Sequence, residues 1–268
     1  MMKSISIWAF SPDRAWPEAF TMAKSAGFEA VEVAIAAEGP LTPNSTREEC
    51  QRVVAQAQEA GLQVSSLASG MGWKHQLTTS DAAERRESID VTAKSLQIAR
   101  WLGVDALLCV PGAVDAKTTS YDEAYDNALA ALRELAPVAQ ETGVTIGVEN
   151  VWNKFLLSPL EMRDFLDAVG APRVGCYFDV GNVLLTGYPQ QWISILQHRI
   201  SRIHFKDFKT SVGTFDGFCP LLEGDVDFPA VKNALRKVGY QGSVTAEFFE
   251  CEADIETISV AMDKIAAM

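Results

Sequence analysis

Histidine is scarce in this chain of 268 residues: there are three, against 23 Lys and Arg and 35 Asp and Glu. The shortage of cations gives a formal net charge of −12. That excludes a surface that tracks nucleic-acid phosphates through clustered Lys and Arg, while leaving room for a local basic pocket. The cysteines, Cys50, Cys109, Cys176, Cys219 and Cys251, are odd in number and form no C-x-x-C pair, so they read as reduced cytosolic thiols. No apolar run approaches the ~18 residues of a membrane span. The stretch from Met1 to Phe10 is too short in its apolar part for a signal peptide. The expectation is a cytoplasmic protein with no membrane and no nucleic-acid partner. A G-x-G-x-x-G run after the first strand is also missing, which argues against a dinucleotide fold.

What the chain does have is regular punctuation. Gly27, Gly61, Gly103, Gly143, Gly170 and Gly239 each close a helical-period segment and precede a strand-like run. Those runs are 30–35, 63–68, 106–110, 144–149, 174–179 and 243–248; 4–10 and 200–205 bring the strands to eight. Helix starts fall between them. Thr46 with Glu49, Asp81 with Glu84, Ser120 with Glu123, and Ser158 with Glu161 have capping-box spacing, and Pro159 stands at a first helical position. Alternation without a break in composition implies a parallel sheet, and eight repeats imply a closed (β/α)₈ TIM barrel, one α/β domain over residues 1–268. Connections from helix to strand are short. Those from strand to helix are long, above all 208–227, and all of them fall on the face where barrel active sites are built.

Four strand ends on that face carry chemistry. Inward-facing parity brings Glu149, Asp179, His204 and Glu247 to the barrel mouth from four successive strands. Three carboxylates so close would repel one another and raise each other's pKa unless a cation neutralised them. An oxygen-rich set with one imidazole and no thiolate suits one divalent ion, Mn²⁺ before Mg²⁺, Co²⁺ or Zn²⁺. A single strand-end carboxylate is more often a cap or an ion-pair partner. Four on adjacent strands weaken that reading.

The phrases Ile-Gly-Val-Glu-Asn at 146–150, Tyr-Phe-Asp-Val-Gly-Asn at 177–182, Ile-His-Phe-Lys-Asp at 203–207, Leu-Glu-Gly-Asp-Val-Asp-Phe at 222–228 and Thr-Ala-Glu-Phe at 245–248 resemble the xylose-isomerase-like sugar isomerase and epimerase superfamily. The nearest branch is that of ketose 3-epimerases and L-ribulose-5-phosphate 3-epimerases. The resemblance implies one divalent metal on Glu149, Asp179, His204 and Glu247. It also implies that Glu149 and Glu247 act as acid and base on opposite faces of a sugar or sugar phosphate, in a homodimer or homotetramer. Well-known ketose 3-epimerases carry a histidine three residues after the metal-binding aspartate, where this chain has Asn182. Asparagine can donate a hydrogen bond to a substrate oxygen but carries no proton in the neutral range.

Further candidates have plain alternatives. Lys206 shares His204's parity and can polarise a substrate oxygen or meet a phosphate, or it can pair with Asp207 or Glu247. Glu32, between Val31 and Val33, points inward as a hydroxyl ligand or a buried-network residue. Trp8 and Trp152 are candidate walls for a sugar's apolar face, or core packing. His75, next to Lys74 in a long loop, is a candidate phosphate contact or a solvated residue. The loop 210–217 has two glycines and amides that can cradle a phosphate, without the P-loop lysine pattern. Two other functions fit the same residues: a dehydratase or lyase resembling inosose dehydratase, in which a β-hydroxyl leaves after enolisation, and a non-catalytic sugar-binding barrel. An endonuclease on the same barrel would need more histidines and a basic face.

Overall fold

The computed structural model describes residues 1–251 and 254–268. Eight parallel strands close into one barrel: β1 (Lys3–Ser6), β2 (Ala30–Ile35), β3 (Gln63–Ser69), β4 (Ala106–Cys109), β5 (Thr145–Glu149), β6 (Val174–Asp179), β7 (Ile200–Phe205) and β10 (Val244–Ala246). Each pairs with its neighbour in the chain, and β10 closes the ring on β1. Eight helices surround it: α1 (Trp16–Ser25), α2 (Arg47–Glu59), α3 (Ala82–Leu102), α4 (Tyr121–Thr142), α5 (Pro159–Val169), α6 (Pro189–Leu196), α7 (Phe228–Lys237) and α8 (Ile255–Ala267). The expected (β/α)₈ barrel is therefore the fold. No helix among the described residues is long and apolar enough to cross a membrane.

Local chemistry sets the boundaries. Thr46 accepts from the Glu49 amide while Glu49 bonds back to the Thr46 amide, so α2 starts on a complete capping box. Asp81 caps α3 through two amides and Ser158 caps α5 ahead of Pro159. α3, α4 and α5 end at Gly103, Gly143 and Gly170, all left-handed, where a side chain would be strained.

Three expectations change. The first strand stops at Ser6, not Phe10, because the Ser6 hydroxyl accepts from the Trp8 amide and turns Ile7–Ala9 into a 3₁₀ turn. The last barrel strand is three residues, so Glu247 lies just beyond it, its amide still donating to the Phe205 carbonyl at 3.2 Å. The long segment after β7 is not plain loop. It contains an antiparallel pair, β8 (Asp207–Phe208) with β9 (Phe218–Cys219), which carries aromatic side chains over the barrel mouth.

Candidate metal and active site

Burial and register bring the four strand-end groups together. Asp179 is opposite His204 across the β6–β7 pair, and Thr245, two residues before Glu247, is opposite His204 across β7–β10. Glu149, Asp179, His204 and Glu247 are all buried, and one ligand atom from each lies within 4.8 Å of the others. Among the described residues His204 Nδ1 is buried without a hydrogen bond, and Asp179 Oδ2 and Glu247 Oε2 are buried with the Lys206 ammonium as the cation beside them. Buried polar atoms so incompletely partnered are costly inside a protein. Three of them converging with a further carboxylate fit a divalent cation, which would satisfy all of them.

The imidazole is oriented from below. His204 Nε2 is 2.9 Å from Glu32 Oε1. A carboxylate can only accept, so Nε2 donates, and Nδ1 of the neutral ring keeps its lone pair on the side of Glu247, 3.5 Å away. Glu32 is itself held by the Ser66 hydroxyl at 2.8 Å and by the Tyr177 hydroxyl. A carboxylate behind a ligating histidine fixes its tautomer and ring angle. Asp179 is aligned through its backbone: Asn150 donates to its carbonyl at 2.8 Å and accepts from its amide at 2.9 Å.

Charge within the site is uneven. Burial raises the Glu149 carboxyl well above the usual carboxylate range, and the neighbouring Glu247 pushes it further. Burial raises Asp179 as well, against the opposing pull of Lys206. Glu247 feels the same burial, but the Lys206 ammonium and His204 outweigh it and hold its carboxyl below the usual range. Burial opposes a charge on His204, yet Glu32 and Glu247 raise its pKa well above that of a free imidazole. A proton on that ring and a cation at Nδ1 answer the same negative field. Lys206 stands 3.4 Å from Asp179 Oδ2 and pairs with Glu247, with its ammonium over the Phe218 ring at 5.1 Å.

Above the cluster opens a cleft of about 1120 Å³, with Glu149, Lys206 and Glu247 among its walls. Trp8, Trp152 and Asn182 line it as well. Trp8 stacks on Phe249 at 5.8 Å, and Trp152 packs on Phe208 and Phe218 while its indole donates to the Asn182 carbonyl at 2.8 Å. Asn182 spends one side-chain N–H on the Asn150 carbonyl at 3.0 Å, and its own amide donates to Asp179 Oδ1 at 2.8 Å.

Two candidates lie elsewhere. Glu32 is fully buried under His204 and is not among the cleft walls, because it sits mid-strand with three residues of β2 still to follow. His75 is directed away from the cleft, its Nδ1 3.6 Å from Glu87 of α3.

Residues 20–265 match the family model described as xylose isomerase-like TIM barrel. The chain belongs to that family. The resemblance carried by residues 146–248 is thereby borne out. The candidate L-ribulose-5-phosphate 3-epimerase SgbU of Escherichia coli K12 is 27% identical over 252 residues, 90% of this chain and 86% of that protein. L-ribulose-5-phosphate 3-epimerase UlaE of the same strain is 26% identical over 259 residues, 92% of this chain and 86% of its own length. Among solved structures, D-psicose 3-epimerase with D-tagatose from Clostridium cellulolyticum H10 superposes with a TM-score of 0.82 at 17% identity, covering 100% of this chain and 99% of that one.

Sequence reading missed Tyr177, Ser66 and Asn150. Tyr177 shares the parity of Asp179 two residues earlier, which was the available signal. Asn150 directly follows a predicted ligand, but nothing in its position announced a backbone clamp.

Proposed function

We propose that the chain is a divalent-metal-dependent epimerase of a ketose or ketose phosphate, with Glu149 and Glu247 as its acid–base pair. The observation that carries this is the buried convergence of Glu149, Asp179, His204 and Glu247 at the floor of an aromatic-walled cleft. The names of the relatives agree with it. A divalent cation on these four residues, Mn²⁺ best suited by the ligand set, supplies Lewis-acid stabilisation of the negative charge that grows on a carbonyl oxygen as the α-proton leaves.

The protein's own part is proton traffic and orientation. The two glutamates reach the cluster from different elements, Glu149 at the end of β5 and Glu247 just beyond β10. One takes the α-proton from one face of the sugar, the other returns a proton to the opposite face, and the stereocentre inverts. Asn182 and Lys206 contact substrate oxygens, while Trp8 and Trp152 shield the apolar face of the ring. Glu32 acts through His204.

Ketopentoses and ketohexoses incubated with the Mn²⁺-loaded protein should each give a C3 epimer, separable by chromatography. An absorbing enone in place of the epimer would mean loss of water instead and would contradict this reading.

A further inference from the structure

Barrels of this type frequently receive a phosphate in the loops after the seventh and eighth barrel strands, through free backbone amides at a helix N-terminus. Here one of the chain's own carboxylates holds the first of these places. The amides of Phe208, Leu222, Gly224 and Val226 all donate to the buried Asp207 carboxylate, at 2.9 to 3.1 Å. The backbone is drawn in so tightly that a Cβ on Gly224 would lie 2.2 Å from Asp207 Oδ1. The Thr210 amide and hydroxyl are taken by Asp225. After the last barrel strand, Asp254 stands at the N-cap of α8 and lines the cleft. An anion arriving there meets an anion.

The charge of the cleft walls agrees. Among the described residues that line it, Lys206 is the one basic side chain, and it is held against Asp179 and Glu247. Asp216 and Glu223 add negative charge at the rim. A phosphate ester brings about −1.5 to −2 more at neutral pH. Aromatic side chains stand among the other walls, Trp8, Trp73, Trp152, Phe215, Phe218 and Phe249 included. Such faces suit the C–H surfaces of a sugar ring.

We propose that the cleft takes an uncharged ketose and discriminates against its phosphate ester, because the loop amides after the seventh strand are occupied by Asp207 and the rim of the cleft is acidic. The proposal rests on the epimerase reading for the identity of the sugar as a ketose. It departs from the phosphorylated substrate in the names of SgbU and UlaE.

The test pairs L-ribulose with L-ribulose 5-phosphate, and D-fructose with D-fructose 6-phosphate, on the Mn²⁺-loaded protein. Binding is followed by the fluorescence of the cleft tryptophans, and C3 proton exchange in D₂O by NMR. Each free ketose should bind at least about tenfold more tightly than its phosphate and exchange faster, with the ratio falling as salt screens the rim. Glu223→Lys combined with Asp254→Lys should move the ratio toward the phosphate. Equal or tighter binding of the phosphates by the wild type would overturn the proposal. A binding preference for the free sugars with no exchange of any of them would uphold it while removing the epimerase reading.

Discussion

The two halves of the barrel are built from the same alternation of strand and helix, yet they meet the cleft differently. Three strands of the second half end on, or one residue from, a member of the candidate metal cluster, and the fourth has one just beyond it: Glu149 and Asp179 close β5 and β6, His204 is penultimate in β7, and Glu247 follows β10. In the first half, the one inward carboxylate of the site, Glu32, lies mid-strand, and its neighbours at the mouth, Trp8, Leu108 and Val110, are apolar. Depth separates the two roles. A carboxylate at a strand end faces the cleft, whereas one three residues deeper meets the back of the histidine ring. One half supplies the four groups that could hold a metal, and the other supplies the support and the wall.

Substitutions can break this contrast in order of expected effect. His204→Ala, in the ligand half, should abolish both stoichiometric Mn²⁺ and turnover, because it removes the ligand and strands Glu32 without its partner. Elemental analysis after dialysis checks this, and full retention of metal would remove His204 from the ligand set. Glu32→Gln, in the supporting half, should leave the four ligands in place and weaken Mn²⁺ binding by roughly 10- to 100-fold. Isothermal titration separates that from a loss of ligand. Affinity equal to wild type would reduce Glu32 to a packing residue. Gly224→Ala touches neither half of the metal site. Its Cβ would press on Asp207, so the thermal midpoint should fall by several degrees, a cost on the order of 1–3 kcal/mol, with Mn²⁺ affinity little changed.

Much of this was legible in the chain because it depends on local rules. Helix caps at Thr46 and Ser158 and the left-handed stops at Gly103, Gly143 and Gly170 act within a few residues, so their spacing marks the repeat. Period-two parity likewise tells that Asp179, His204 and Glu32 face inward. Parity carries no information on depth, and for that reason it left Glu32 open between a hydroxyl ligand and a buried-network residue; beneath His204 it is the second. Nor does it register what long loops do on returning. His75 turned away to Glu87; of the two partners open to Lys206, Glu247 takes it, and Asp207 is the anchor for four amides up to 19 residues further on. Such contacts are set by tertiary closure. No local pattern encodes them.

The most direct test of the central claim is deuterium at C3. The Mn²⁺-loaded wild type, incubated with D-psicose in D₂O, should exchange the C3 proton for deuterium and yield the C3 epimer. Glu149→Gln and Glu247→Gln each lose a charged ligand, so with Mn²⁺ supplied in excess the epimer should form about 10²- to 10⁴-fold more slowly, as expected when one proton-transfer group is lost. Epimer formation without deuterium at C3, or at an undiminished rate in both variants, would contradict the account.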